Sequence, residues 1–208
     1  MKYELQNIIS GKSKIIHGAI IQTIASYLKR SQRASKVDKE PKFFREQETQ
    51  ILREYVTANN LWIVDINIEN YVSEGAEQKV YLMDGKSVMK LNDAIFYASW
   101  VDYLHNLLLN NYFFPDTAYE LLGFCELENI IFAVVKQPFV KATEQTDLQV
   151  VRKFMEANGF THTRNNDYFN PTLGIILEDL HDENVLTENG ILQFIDTVFY
   201  IKESFYEA

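Results

Sequence analysis

The stretch Leu177-Glu178-Asp179-Leu180-His181-Asp182-Glu183-Asn184-Val185-Leu186, with Phe194-Ile195-Asp196 behind it, decides how this chain is read. Asn184 follows Asp179 by five residues, and Asp196 follows Asn184 by twelve. The apolar runs Ile175-Ile176-Leu177 and Val185-Leu186 anchor a polar loop between two strands. Glu188-Asn189-Gly190 then marks a hairpin, because Asn-Gly accepts the positive backbone angles of a tight turn. One small unit thus carries a carboxylate, a carboxamide and a second carboxylate at its strand ends.

The rest of the chain is long enough to build something around that unit. Its 208 residues, 47% hydrophobic and 13% aromatic, suit one domain or one domain with a helical extension. A net charge of −9 argues against a broad nucleic-acid surface. The one basic segment, Lys29-Arg30-Ser31-Gln32-Arg33-Ala34-Ser35-Lys36, reads as a solvated helix end and loop. The single Cys125 cannot close an internal disulfide and reads as buried strand filler in a reducing compartment. Residues 15–28 are apolar but include His17, Gln22, Thr23 and Ser26, and they are too short to span a bilayer. They read as a core helix of a cytoplasmic protein with no membrane partner.

Residues 1–60 predict two helices and a loop. Ile16, Ile20, Ile24, Tyr27 and Leu28 recur at helical spacing, a polar stretch breaks the pattern over 31–41, and Phe44, Ile51, Leu52 and Tyr55 resume it. Glu48 is spaced to pair with Arg45 or Arg53 across a turn. The texture changes at Leu61, where residues 61–66 predict a strand. Residues 79–83 and 87–91 flank Asp84-Gly85 and predict a hairpin. Residues 93–111 return to helical spacing through Ile95, Ala98, Val101, Leu104 and Leu108. Strands around 119–125 and 130–135 follow, then a helix over 146–157 that stops at Gly159. The order of elements is α+β.

Phosphoryl transfer from a nucleotide needs a close-fitting loop over the phosphates, a cation on them, oxygen ligands for magnesium, and a carboxylate at the attacking hydroxyl. Each has a candidate, in that order along the chain. Gly75 and Ala76, between two strands, offer close backbone approach, although one glycine also suits an ordinary turn. Lys90 ends a strand, where an inward ammonium needs an anionic partner and an outward one is simply solvated. Asp179, Asn184 and Asp196 complete the set. His17, His105 and His162 show no ligand spacing, and His181 reads as a hydrogen-bonding residue of its own loop.

In these residues the chain resembles the protein-kinase-like superfamily over roughly 61–201. The form Asp179-Leu180-His181-Asp182-Glu183-Asn184 is most similar to the reduced kinase domains of polyvalent proteins of bacterial mobile elements. The resemblance implies an α+β, reduced two-lobed fold. Helices over 1–60 would precede an antiparallel N-lobe over 61–136 and a truncated C-lobe over 137–208. It implies ATP and Mg²⁺ as cofactors, with Lys90 on the phosphates and Asp179 as base toward an unidentified hydroxyl acceptor. Asn184 and Asp196 would bind the metal, and residues 134–139, notably Gln137, Pro138 and Phe139, would meet adenine with backbone amides. The helix over 93–111 would be the regulatory helix of the N-lobe, with Asp102 as its one well-placed acid for Lys90.

The chain departs from that pattern at named positions. Leu177 stands where a histidine usually lies two before the catalytic Asp, Thr197-Val198 replaces the glycine after the metal-binding Asp, and twelve residues follow Asp196. These departures imply a small substrate, a partner chain that completes the lobe, or a domain that binds nucleotide without turnover. An interaction protein with no nucleotide site is the third reading, and it requires Lys90 and Asp196 to lie far apart.

Overall fold

The computed structural model describes residues 1–34, 41–66, 68–74 and 78–207. Gly75 and Ala76, and Ser35-Lys36 of the basic segment, lie outside the described residues.

Three helices open the chain where two were expected: α1 (Lys2–Ile9), α2 (Gly18–Ala34) and α3 (Pro41–Ala58). The first buries Leu5, Ile8 and Ile9. At eight residues it is too short for helical periodicity to stand out, and positive φ angles at Gly11 and His17 separate it from α2.

Strands β1 (Tyr71–Glu74), β2 (Gln78–Leu82) and β3 (Ser87–Asn92) come next, then α4 (Trp100–Phe113), β4 (Glu120–Leu127) and β5 (Ile130–Pro138). The five strands form one antiparallel sheet in the order β1-β2-β3-β5-β4. The expected hairpin joins β2 to β3: Leu82 pairs with Val88, Met83 N donates to Ser87 O at 2.9 Å, and Gly85 takes φ +73°. Residues 61–66 do not form the expected strand. They dock on β4 through one parallel bridge, Trp62 to Phe124, with Ile63 N donating to Phe124 O and Phe124 N to Leu61 O. A Cβ on Gly123 would stand 2.4 Å from the Leu61 carbonyl, so that close approach requires glycine. The segment then leaves the sheet with Val64 exposed.

Helix α4 begins at Trp100, seven residues later than the sequence pattern suggests. Asn92 and Asp93 side chains accept from the amides of Ala94 and Ile95, which turns the chain before a helix can start. Ser99 then caps α4 by accepting from Asp102 N, and the Asp102 carboxylate accepts from Ser99 Oγ at 2.7 Å. The helix is buried along nearly its whole length rather than on one stripe, because it is covered by α2, by α3 and by the strand Val198–Ile201 as well as by the sheet. Trp100 meets Phe124 of β4 edge to face at 6.1 Å.

Helix α3 holds the start of α4 in place. The Arg45 guanidinium donates to the carbonyls of Tyr97, Asp93 and Ala94. Thr49 Oγ1 accepts from the Trp100 indole at 3.0 Å, and the Glu48 carboxylate accepts from Trp100 N at 2.7 Å and Val101 N at 3.3 Å. Glu48 is therefore a helix-capping acid, and Arg53, its other expected partner, pairs with Glu126. Burial pushes the Glu48 carboxyl up to about 7 even though those two amides oppose the shift.

The remainder consists of α5 (Leu148–Ala157), β6 (Thr161–His162), β7 (Tyr168–Asn170), β8 (Ile175–Glu178), β9 (Val185–Glu188), β10 (Ile191–Phe194) and β11 (Val198–Ile201). Asp147 caps α5, and the turn ending the helix includes Gly159, as the sequence suggests. Strands β9 and β10 form the expected hairpin, while β11-β8-β7-β6 form a second antiparallel sheet. Among the described residues no helix is long and apolar enough to cross a membrane.

Candidate active site

Strand β3 is the middle of the five-stranded sheet and all six of its residues are buried. Lys90 lies on it with 4% of its surface exposed, so its ammonium needs acceptors nearby. Lys90 Nζ donates to Ile195 O at 2.8 Å, lies 3.5 Å from Asp196 Oδ2, and sits 5.6 Å from the centre of the Tyr119 ring. Tyr119 Oη donates to the same Ile195 carbonyl at 2.8 Å, and Gln78 Nε2 donates to Asp196 Oδ2. Asp102, the acid expected beside Lys90, is instead engaged in the cap of α4. The carboxylate at the lysine is Asp196.

Asp196 is held by its neighbours in the chain. Ile195 N donates to Asn184 O at 2.9 Å, which ties the Asp196 segment to the loop after β8. Thr197 Oγ1 donates to Asn110 Oδ1 at 3.1 Å and Phe199 N to Asn106 Oδ1 at 2.8 Å, both from α4. Thr117 Oγ1 donates to Phe194 O at 2.5 Å. Each bond satisfies a group that burial would otherwise leave unpaired.

Asp179 follows directly on β8 with φ +69°, a left-handed conformation that Asp tolerates better than most side chains do. Leu180, fully buried, anchors the turn. Leu180 N donates to Asn166 O and Asp179 N to Asp167 Oδ1. Asn184 Nδ2 donates to both the carbonyl and the Oδ2 of Asp179, at 2.9 Å each. Glu183 N donates to His181 Nδ1 at 3.3 Å, and His181 Nε2 lies 3.2 Å from Asp179 Oδ1 and 3.1 Å from Asn184 Nδ2. His181 thus serves its loop by orienting Asp179. Next to it, burial and then the Asp167 charge raise the Glu178 carboxyl.

Two cavities meet at these residues. One of about 390 Å³ has Val80, Val88, Leu186 and Ile195 as apolar walls, with Lys90 and Gln137 as polar groups. The other, about 430 Å³, is lined by Asp179, His181, Phe96 and Tyr200 among others. Gln78, Glu183, Asn184 and Asp196 line both. Pro138 and Phe139 line the first cavity, and the Phe139 amide, just past β5, already donates at 2.8 Å to the carbonyl of Lys86 in the β2–β3 turn.

The structure therefore brings Lys90, Asp179, Asn184 and Asp196 to adjoining cavities, with Gln137 and Phe139 on the wall of one. Sequence reasoning missed Gln78 and Tyr119, which the Asp196 segment engages, and the asparagines of α4. Asn106 and Asn110 did leave a signal: amides four residues apart, flanking Leu107-Leu108-Leu109, are costly to bury unless bonded. Gln78 and Tyr119 left none, since either residue type is ordinary at a strand end.

The donor set fits a small hard cation. The Asp196 carboxylate and Asn184 Oδ1 offer two oxygens, and Mg²⁺ takes one or two protein ligands while keeping waters and phosphate oxygens. Among the described residues no group of three or more His, Cys, Asp and Glu could hold a metal unaided.

A lysine on the central strand of an antiparallel sheet, facing an Asp-x4-Asn loop and a second aspartate, is a kinase-like arrangement. A model of the family described as Serine/Threonine/Tyrosine Kinase found in polyvalent proteins matches residues 45–203, and the chain belongs to that family. No curated protein matches the chain.

Proposed function

We propose that the chain is a Mg²⁺-dependent phosphotransferase that moves the γ-phosphoryl group of ATP to a hydroxyl acceptor. The β1–β5 sheet with α4 forms an amino-terminal lobe over 61–136, residues 137–208 form the second lobe, and the helices within 1–60 are an extension packed on α4. The observation that carries this reading is the Lys90–Asp196 pair at 3.5 Å beside the Asp179–Asn184 loop.

Bound Mg²⁺–ATP supplies the transferable phosphoryl group and the charge neutralisation it needs. Lys90 holds the phosphates from the floor of the sheet, and Asn184 and Asp196 hold the metal. Asp179 opens on the second cavity, where it takes the proton of the acceptor hydroxyl. His181 Nε2 and Asn184 Nδ2 hold the Asp179 carboxylate so that this oxygen is already oriented when the acceptor arrives.

The test incubates the protein with ATP, Mg²⁺ and a panel of small and peptide hydroxyl acceptors, with Asp179→Asn as control. Transfer that disappears in the variant supports the assignment. Mg²⁺-dependent ATP binding with no transfer to any acceptor assigns the chain to nucleotide-binding modules instead.

A further inference from the structure

Gln137 is 1% exposed and stands on the wall of the 390 Å³ cavity, at the end of β5. Its Nε2 donates to Thr117 O at 2.8 Å. A carbonyl can only accept, so Thr117 fixes which way the amide faces. The other end, Oε1, is buried and has no hydrogen-bond partner among the described residues. A buried acceptor without a donor costs free energy on the order of 1–3 kcal/mol, so the site is built for a ligand that brings an N–H.

We propose that Gln137 is the base-selecting residue of the cleft, its Oε1 accepting a hydrogen bond from the 6-amino group of a purine nucleotide. The inference rests on the nucleotide reading of the cavity and adds a side-chain contact to the backbone contacts expected of residues 134–139. Val80 and Val88 on the sheet side and Leu186 and Ile195 opposite give a flat ring two apolar faces, so the ring edge is where polarity decides the fit. A 6-oxo purine sets a second acceptor against Oε1, and a purine with only hydrogen at that carbon leaves Oε1 as it is. Of the three substituents at that carbon, the amino group alone donates to it.

Binding is measured on the unaltered protein with Mg²⁺ and each of three triphosphates: ATP, inosine triphosphate and purine riboside triphosphate. ATP is expected to bind about tenfold tighter than the purine riboside analogue, with inosine triphosphate weaker still. In Gln137→Leu, folded as judged by thermal unfolding, ATP falls to the level of the purine riboside analogue, whose own affinity is unchanged. Equal binding of ATP and the purine riboside analogue by the unaltered protein overturns the inference while leaving the nucleotide cleft intact. So does a tenfold gap that survives in the variant. Binding of none of the three overturns the cleft reading and the inference with it.

Discussion

Lys90 Nζ and Asp196 Oδ2 stand 3.5 Å apart although 106 positions separate them in the chain, and the lysine is far the more buried of the two. That asymmetry predicts unequal costs of removal. Lys90→Met puts an apolar side chain of similar length into a buried strand and leaves Ile195 O with its Tyr119 donor, so unfolding free energy should change by no more than about 1 kcal/mol. Asp196→Ala takes a carboxylate from a buried ammonium and should cost about 1–3 kcal/mol. Urea unfolding of both variants checks the order. Both should lose Mg²⁺–ATP binding, so stability and function separate in the first and fall together in the second.

Asp179 gives the cleanest test of chemistry. At φ +69° an alanine would be strained, whereas asparagine accepts that conformation and keeps an oxygen for the Asn184 amide. Asp179→Asn should therefore unfold within about 0.5 kcal/mol of the wild type. Its transfer rate should fall by roughly 10²-fold or more, because the amide cannot take a proton. Unchanged turnover in single-exchange kinetics would sink the base assignment.

The asparagines of α4 link fold to site. Asn106 Oδ1 takes the Phe199 amide at 2.8 Å, both groups buried, and so fixes the chain just after Asp196. Asn106→Leu fills the space but orphans that amide, which should cost about 1–3 kcal/mol. Because the displaced segment carries Asp196, the apparent affinity for Mg²⁺–ATP should drop as well, while the control substitution Asp116→Asn, at an exposed residue, should move neither.

Much of this is legible in the sequence. Asn189-Gly190 identifies the β9–β10 hairpin and Asp84-Gly85 the β2–β3 turn, because short local signals fix both. What was not legible depended on distant chain. Leu61 to Ile66 has the composition of a strand, yet only Gly123, sixty positions on, decides that it docks by a single bridge. Asp102 was at a plausible place on a helix for Lys90, but Ser99 three residues earlier captured its carboxylate. Glu48 is spaced to pair with Arg45 or Arg53 across a turn, and what the spacing does not show is that its carboxylate accepts from the first amides of a helix about fifty residues later.

Glu48 and His105 make opposite contributions to acid stability. Burial raises the Glu48 carboxyl from 4.5 to about 7, so the folded protein holds the proton more tightly than the unfolded chain does. That contribution is complete below pH 4.5 and is lost as pH rises toward 7. Burial lowers His105 from 6.5 to about 3, so its contribution is complete above pH 6.5 and is lost as pH falls toward 3. Between pH 4.5 and 6.5 the two slopes oppose one another. Glu48→Gln keeps the shape and an oxygen for the Trp100 amide while removing the titration, leaving the His105 slope unopposed. Relative to wild type, the variant should therefore gain about 3 kcal/mol of stability between pH 4.5 and pH 7, measured by urea unfolding at half-unit steps. A stability difference that does not change with pH over that window would show that Glu48 stays ionised and acts purely as a cap for α4.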